Sequence, residues 1–112
     1  MLSREHRLRR HTEFSDVVRR GRRATRPLLT VHLLAGGASA SQAGIVVSKA
    51  VGGSVVRSRV SRRLRHQLRV LVPALPEGTR LVVRAAPAAA TADSAALGHD
   101  LRRALVRLGV SA

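Results

Sequence analysis

Residues 49–71, KAVGGSVVRSRVSRRLRHQLRVL, read as a strand end, a glycine turn and a long helix with two unlike faces. At ~100° per residue, Val56, Val60, Leu64, Leu68 and Leu71 fall in one apolar stripe. Arg59, Arg62, Arg63, Arg65, His66 and Arg69 spread over the opposite side, while Arg57 falls nearer the apolar flank in the first turn. From Ser54 to Arg69 there are six arginines and no acid. A helix face exposed only to water normally interleaves both signs. A face of one sign calls for a polyanion. The glycines before the helix admit two readings. They expose backbone N–H groups at a positive dipole end that can hold one phosphate of a polymer, or they form a plain tight turn capped by Ser54.

Working outward, Pro73 ends this helix, PALPEG turns, and Arg80 to Ala85 is a strand. On the N-terminal side, residues 28–34 alternate as a strand, with Leu29, Val31 and Leu33 on one face and Thr30 and His32 on the other. AGGASASQ turns into a second strand over residues 43–48, so the pair reads as a hairpin. A short helix is predicted from Thr12 to Arg20, with Thr12 as its cap, Phe14, Val17 and Val18 inside, and Gly21 at its exit. RRGRRATRP then reads as a basic connection, and residues 1–11 as a flexible basic arm tied down by Leu8. After an Ala-rich loop, a last helix spans Asp93 to Leu108 with Leu97, Leu101, Leu105 and Leu108 as its stripe.

The order α-β-β-α-β-α makes one small α+β domain over residues 1–112, a two-layer fold with a βαβ crossover and therefore a parallel pair. The chain is long enough for a modest core, which with one Phe and no Trp or Tyr must be aliphatic.

Net charge is +15, and 20 of the 21 basic residues are Arg, the side chain that forks onto phosphate and stacks on bases. Nine of them lie in residues 1–26, and residues 49–69 add Lys49 and six more. From Thr91 onward, Arg102, Arg103 and Arg107 against Asp93 and Asp100 read as an ordinary surface balance. The chain has no cysteine, which removes disulfides, thiol catalysis and Cys-based zinc sites together. No apolar run approaches the roughly 18 residues of a membrane span, and MLSREHRLRR lacks a signal-peptide core. A cytoplasmic protein with no membrane partner and no obligate protein partner is expected.

Protein-based catalysis finds no support. Glu13 and Asp16 read as favourable charges in a helical first turn rather than a catalytic pair. His6, His11, His32, His66 and His99 show no ligand spacing, and neither a P-loop nor a nucleophile elbow is present. An anionic-lipid surface would need large apolar side chains facing the bilayer, but here the apolar stripe is required by the core. Nucleic acid is the favoured partner.

At this point VVSKAVGGSVVRSRVSRRLRH resembles the signature of the bacterial ribonuclease P protein subunit: a strand ending in Ser-Lys, a glycine, then an Arg-Asn-Arg core opening a basic helix. LSREHRLRRHTEFSDVVRRG is similar to that family's opening, so the likeness spans nearly the whole chain. The resemblance implies a left-handed crossover, against the usual preference. It implies a subunit of the endoribonuclease that removes the 5′ leader of precursor tRNA. Catalysis then comes from the RNA, with Mg2+ expected in the holoenzyme mainly on RNA and no cofactor held by the protein alone.

The implied partners are ribonuclease P RNA and precursor tRNA. On this sequence the catalytic-RNA contacts fall on Lys49, Gly52, Arg57, Ser58, Arg59, Arg62, Arg63, Arg65 and Arg69. The precursor-leader cleft falls on Phe14, Val18, Thr30, His32 and Ser48. Ser58 stands where the family has Asn, Ser61 where it has a basic residue, and Val18 and His32 where aromatics are common. The alternative function is a non-catalytic structured-RNA-binding or ribosome-assembly protein.

Overall fold

The computed structural model describes residues 3–110 apart from Ala38. A 3₁₀ turn (Arg4–His6) leads into α1 (His11–Arg20), β1 (Arg22–Thr25), β2 (Leu29–Leu34), β3 (Gln42–Val46), α2 (Ser54–Leu71), β4 (Arg80–Ala85) and α3 (Ser94–Arg107). Further 3₁₀ turns occupy Val72–Ala74 and Pro87–Thr91. The four strands form one mixed sheet in the order β1-β2-β4-β3. β4 pairs antiparallel with β2 and parallel with β3, and α2 makes the crossover between the parallel strands.

This order overturns the hairpin expected between residues 28–34 and 43–48, because β4 lies between them. Leu81, Val82 and Val83 are all fully buried, so β4 must have both faces covered and takes a central place. The hairpin that does form joins β1 to β2, in register from Arg22↔Leu33 to Thr25↔Thr30. It was hidden in RRGRRATRP because charges mask the alternation. Only Ala24 turns inward, and Arg22, Arg23 and Thr25 suit an exposed edge strand.

Strand alternation sorts the core. Leu29, Val31, Leu33, Leu81, Val83 and Ala43 face α2 and α3, meeting Val60, Leu64, Leu68, Leu97, Leu101 and Leu105. Val82 faces the other way, against Val17 of α1 and Leu8, with Phe14, Val18, Leu34 and Val46 around them. The two-layer body thus carries a partial third layer, the single helix α1.

Helix ends follow local chemistry. α1 begins one residue earlier than expected, and Thr12 lies inside it. The Glu13 carboxylate accepts the Arg10 N–H at 3.0 Å in place of a Thr12 cap. Gly21 ends α1 in extended backbone. It is needed there because a Cβ would run into the carbonyl oxygens of Val17 and Leu33. Ser54 is the first residue of α2, whose N-cap is Gly53, with no side-chain cap. Asp93 caps α3 by accepting the Ala96 N–H at 2.8 Å.

Two further expectations change. Asp100 belongs to no surface balance: it is 5% exposed, accepts the Leu28 N–H at 3.0 Å and sits 3.6 Å from Arg26 Nε. It ties α3 to the β1–β2 turn. The arm read as flexible is docked from Ser3 onward, while Met1 and Leu2 lie outside the described residues. Leu8 is 4% exposed, its N–H donates to the Ala43 carbonyl at 2.9 Å, and Arg7 bridges Ala43 in parallel beside β3. His6 Nδ1 lies 2.7 Å from the Ser41 carbonyl oxygen.

Candidate RNA interface

The basic residues of α2 divide into three directions. Arg62, His66 and Arg69 are exposed and stand on one line of the helix, three to four residues apart. Arg63 and Arg59 turn sideways: Arg63 Nη1 donates to the Ala92 carbonyl at 2.7 Å and Arg59 Nη2 to the Ala90 carbonyl at 3.4 Å. They brace the Pro87–Thr91 turn while keeping further N–H donors. Arg65 leans the other way, toward β3, with Nη2 donating to Ser61 Oγ at 3.1 Å. Arg57 is half-buried, as its place near the apolar flank implied, and Ser58 is exposed beside it. Lys49 is exposed in the turn before α2, with Gly52 half-buried behind it.

On the opposite face of the sheet, α1 leaves an open groove of about 740 Å³ lined by Arg9, His11, Phe14, Ser15, Val18, Arg19, Val46 and Arg84. Phe14 lies flat over Gly44, where any Cβ would overlap the ring. The structure places Phe14 and Val18 together in this groove. It adds Arg9, Arg19 and Arg84. Arg84 was not legible beforehand, because its place depends on the parallel register Val46↔Arg84. Ser48 is exposed two residues beyond Val46. No carboxylate lines this groove.

Thr30 and His32 lie on the same face of the sheet, farther toward β1. Thr30 Oγ1 donates to Thr25 Oγ1 at 3.3 Å. His32 is 6% exposed, opposite Arg23 on β1, and among the described residues its Nδ1 has no partner. Burial, and then the positive charges of Arg84 and Arg23, hold its pKa below 6.5. The unfolded chain therefore binds this proton more readily, so stability falls as pH drops below 6.5 toward the lowered value, and levels off beneath it. In melting experiments across that window, His32→Gln should flatten the decline. An unchanged slope would remove His32 from the account.

What these surfaces define is a small α+β polyanion binder. Among the described residues no three His, Asp or Glu side chains gather where they could hold a metal ion, and no helix is long and apolar enough to cross a membrane.

Comparison with known proteins narrows the class. A family model described as Ribonuclease P matches residues 2–109. The ribonuclease P protein component of Streptomyces avermitilis is 56% identical, over 96% of this chain and 95% of its own. That of Rhodococcus opacus is 50% identical, over 100% and 95%. The Staphylococcus aureus RNase P protein superposes with a TM-score of 0.84 at 19% identity, covering 96% of this chain and 98% of its own. The Thermotoga maritima protein gives 0.74 at 23%, covering 86% and 91%, and both likenesses speak to fold. The chain belongs to the ribonuclease P protein family, as a protein component that partners the catalytic RNA in 5′ processing of precursor tRNA.

Proposed function

We propose that this chain divides its two basic surfaces between two RNAs. The outward line of α2, Arg62, His66 and Arg69, with Arg57, Ser58, Lys49 and Gly52 at its start, docks on ribonuclease P RNA. The groove between α1 and the sheet holds the single-stranded 5′ leader of precursor tRNA, with Phe14 under a base and Arg9, Arg19 and Arg84 near phosphates. Arg59 and Arg63 serve the docking surface through the donors their carbonyl contacts leave over.

The observation that carries this reading is the groove itself. It combines the chain's single phenylalanine with three arginines and no carboxylate. Single strands are held in this way, by stacking and backbone charge together. A protein built so would favour precursor over mature tRNA, since only the precursor has a leader. It would also lower the magnesium requirement, because its arginines replace counterions where RNA chains approach. Bond cleavage and its Mg2+ ions are left to the RNA.

The test is cleavage of a 5′-extended precursor tRNA by the RNA of the same genome, at low magnesium, with and without the protein. Cleavage at the mature 5′ end restored by the protein is expected. RNA binding without restored cleavage would move the chain to the non-catalytic or ribosome-assembly reading.

A further inference from the structure

A second hollow of about 350 Å³ lies on the other side of Phe14, lined by Arg7, Leu8, Phe14, Ala43, Gly44, Ile45, Ser61 and Arg65. The Phe14 ring belongs to its wall and to the wall of the leader groove. Neighbouring depressions around the start of α1 all include Glu13, and one adds Asp16. The groove and this hollow contain neither. Both are acid-free, and they share the Phe14 ring.

The hollow has two cations, Arg7 and Arg65. The Arg7 backbone is held beside β3, because Leu8 is buried and its N–H donates to the Ala43 carbonyl at 2.9 Å, and the exposed Arg7 side chain lines the hollow. Arg65 stands on the α2 row that faces the hollow, where its Nη2 donates to Ser61 Oγ one turn earlier at 3.1 Å. Ser61 and Arg65, one helical turn apart, both line the hollow. The floor, Ala43 to Ile45, is edge-strand backbone, and the Phe14 ring closes over Gly44 to form one wall. A space of this size, bounded by the arm, α1 and α2, admits single-stranded RNA and not a duplex.

We infer that this hollow is a second leader subsite, in which Arg7 and Arg65 grip a phosphodiester of the strand that continues past Phe14 out of the groove. This rests on the leader reading above. Arg65 then serves the substrate strand, and catalytic-RNA docking is left to the outward line of α2. Phe14 becomes the post around which the leader turns.

The experiment uses the reconstituted holoenzyme and precursor tRNAs whose leaders lengthen one nucleotide at a time, with Arg7→Gln, Arg65→Gln and Phe14→Ala compared to wild type. For the two arginine variants, affinity should match wild type on short leaders and fall about tenfold once the leader is long enough to round Phe14. The salt dependence on long leaders should become shallower by about 0.7 for each phosphate no longer neutralised. Affinity for the catalytic RNA alone should be unchanged. An equal loss at every leader length, or weakened assembly with the catalytic RNA, would overturn the subsite. If Phe14→Ala weakens leader binding while the arginine variants do not, only the subsite fails. If none of the three responds to leader length, the leader reading fails as a whole.

Discussion

Reversing the charge of Arg62 and Arg69 together should weaken assembly with the catalytic RNA by roughly a hundredfold or more near physiological salt. Two charge-assisted phosphate contacts are worth about 1.5–3 kcal/mol each, and two new carboxylates add repulsion. Both side chains are exposed, seven residues apart, so they lie on nearly the same line of α2, with His66 between them. Neither makes a contact that the fold needs, and melting temperature should hardly move. Binding measured from low to high salt should show a slope shallower by about 0.9 for each duplex phosphate that the variant leaves unneutralised. The comparison variant is Arg63→Ala. It gives up the 2.7 Å bond to the Ala92 carbonyl and should lower stability by about 1 kcal/mol with a smaller effect on assembly. If the double reversal leaves both affinity and slope unchanged, α2 does not dock this RNA.

That contrast between Arg62 and Arg63 was invisible in the sequence, and the reason is general. The apolar stripe of α2 was legible because periodicity reports which side of a helix is buried. Val60, Leu64, Leu68 and Leu71 are all buried as their spacing requires. What lies beside a polar residue depends on elements far away in the chain. Arg63 reaches a carbonyl 29 residues on, and Arg65 points to a strand edge. Asp100 followed the same logic: the Leu28 N–H and the Arg26 guanidinium of the β1–β2 turn, more than 70 residues earlier, hydrogen-bond it and pair with its charge and make its burial possible.

Strand pairing failed in the sequence for a related cause. Residues 28–34 and 43–48 are adjacent in sequence with a turn between them, and nothing local shows that a later strand will separate them. The hint was in β4 itself, whose run LVV has no polar side to give to solvent. β1 was lost because a strand at a basic edge carries its period-2 signal on a single alanine. The groove suffered less. Phe14 and Val18 share a helix face, so their convergence was readable, whereas Arg84 entered through a parallel register that only the fold sets.

Phe14→Ala should lower affinity for leader-bearing precursor by about tenfold to a hundredfold while leaving mature tRNA binding and catalytic-RNA assembly intact. The range follows from base–aromatic stacking, worth roughly 1–3 kcal/mol per base, and no second Phe, Tyr or Trp exists to share the load. The ring is half-buried in the small cluster under α1, so a modest loss of stability accompanies the change and must be measured. Gly44→Ala supplies a control of opposite kind. It keeps the ring but lifts it from its seat, because the new Cβ would occupy the ring's place. Leader affinity should fall there too, and Phe14→Trp should retain more of it than Phe14→Leu, which keeps apolar bulk without a π-face. Equal affinities for the Trp and Leu variants would mean that bulk alone matters. The leader would then be held by its phosphates, and the arginines of the groove would carry the whole preference for precursor over product.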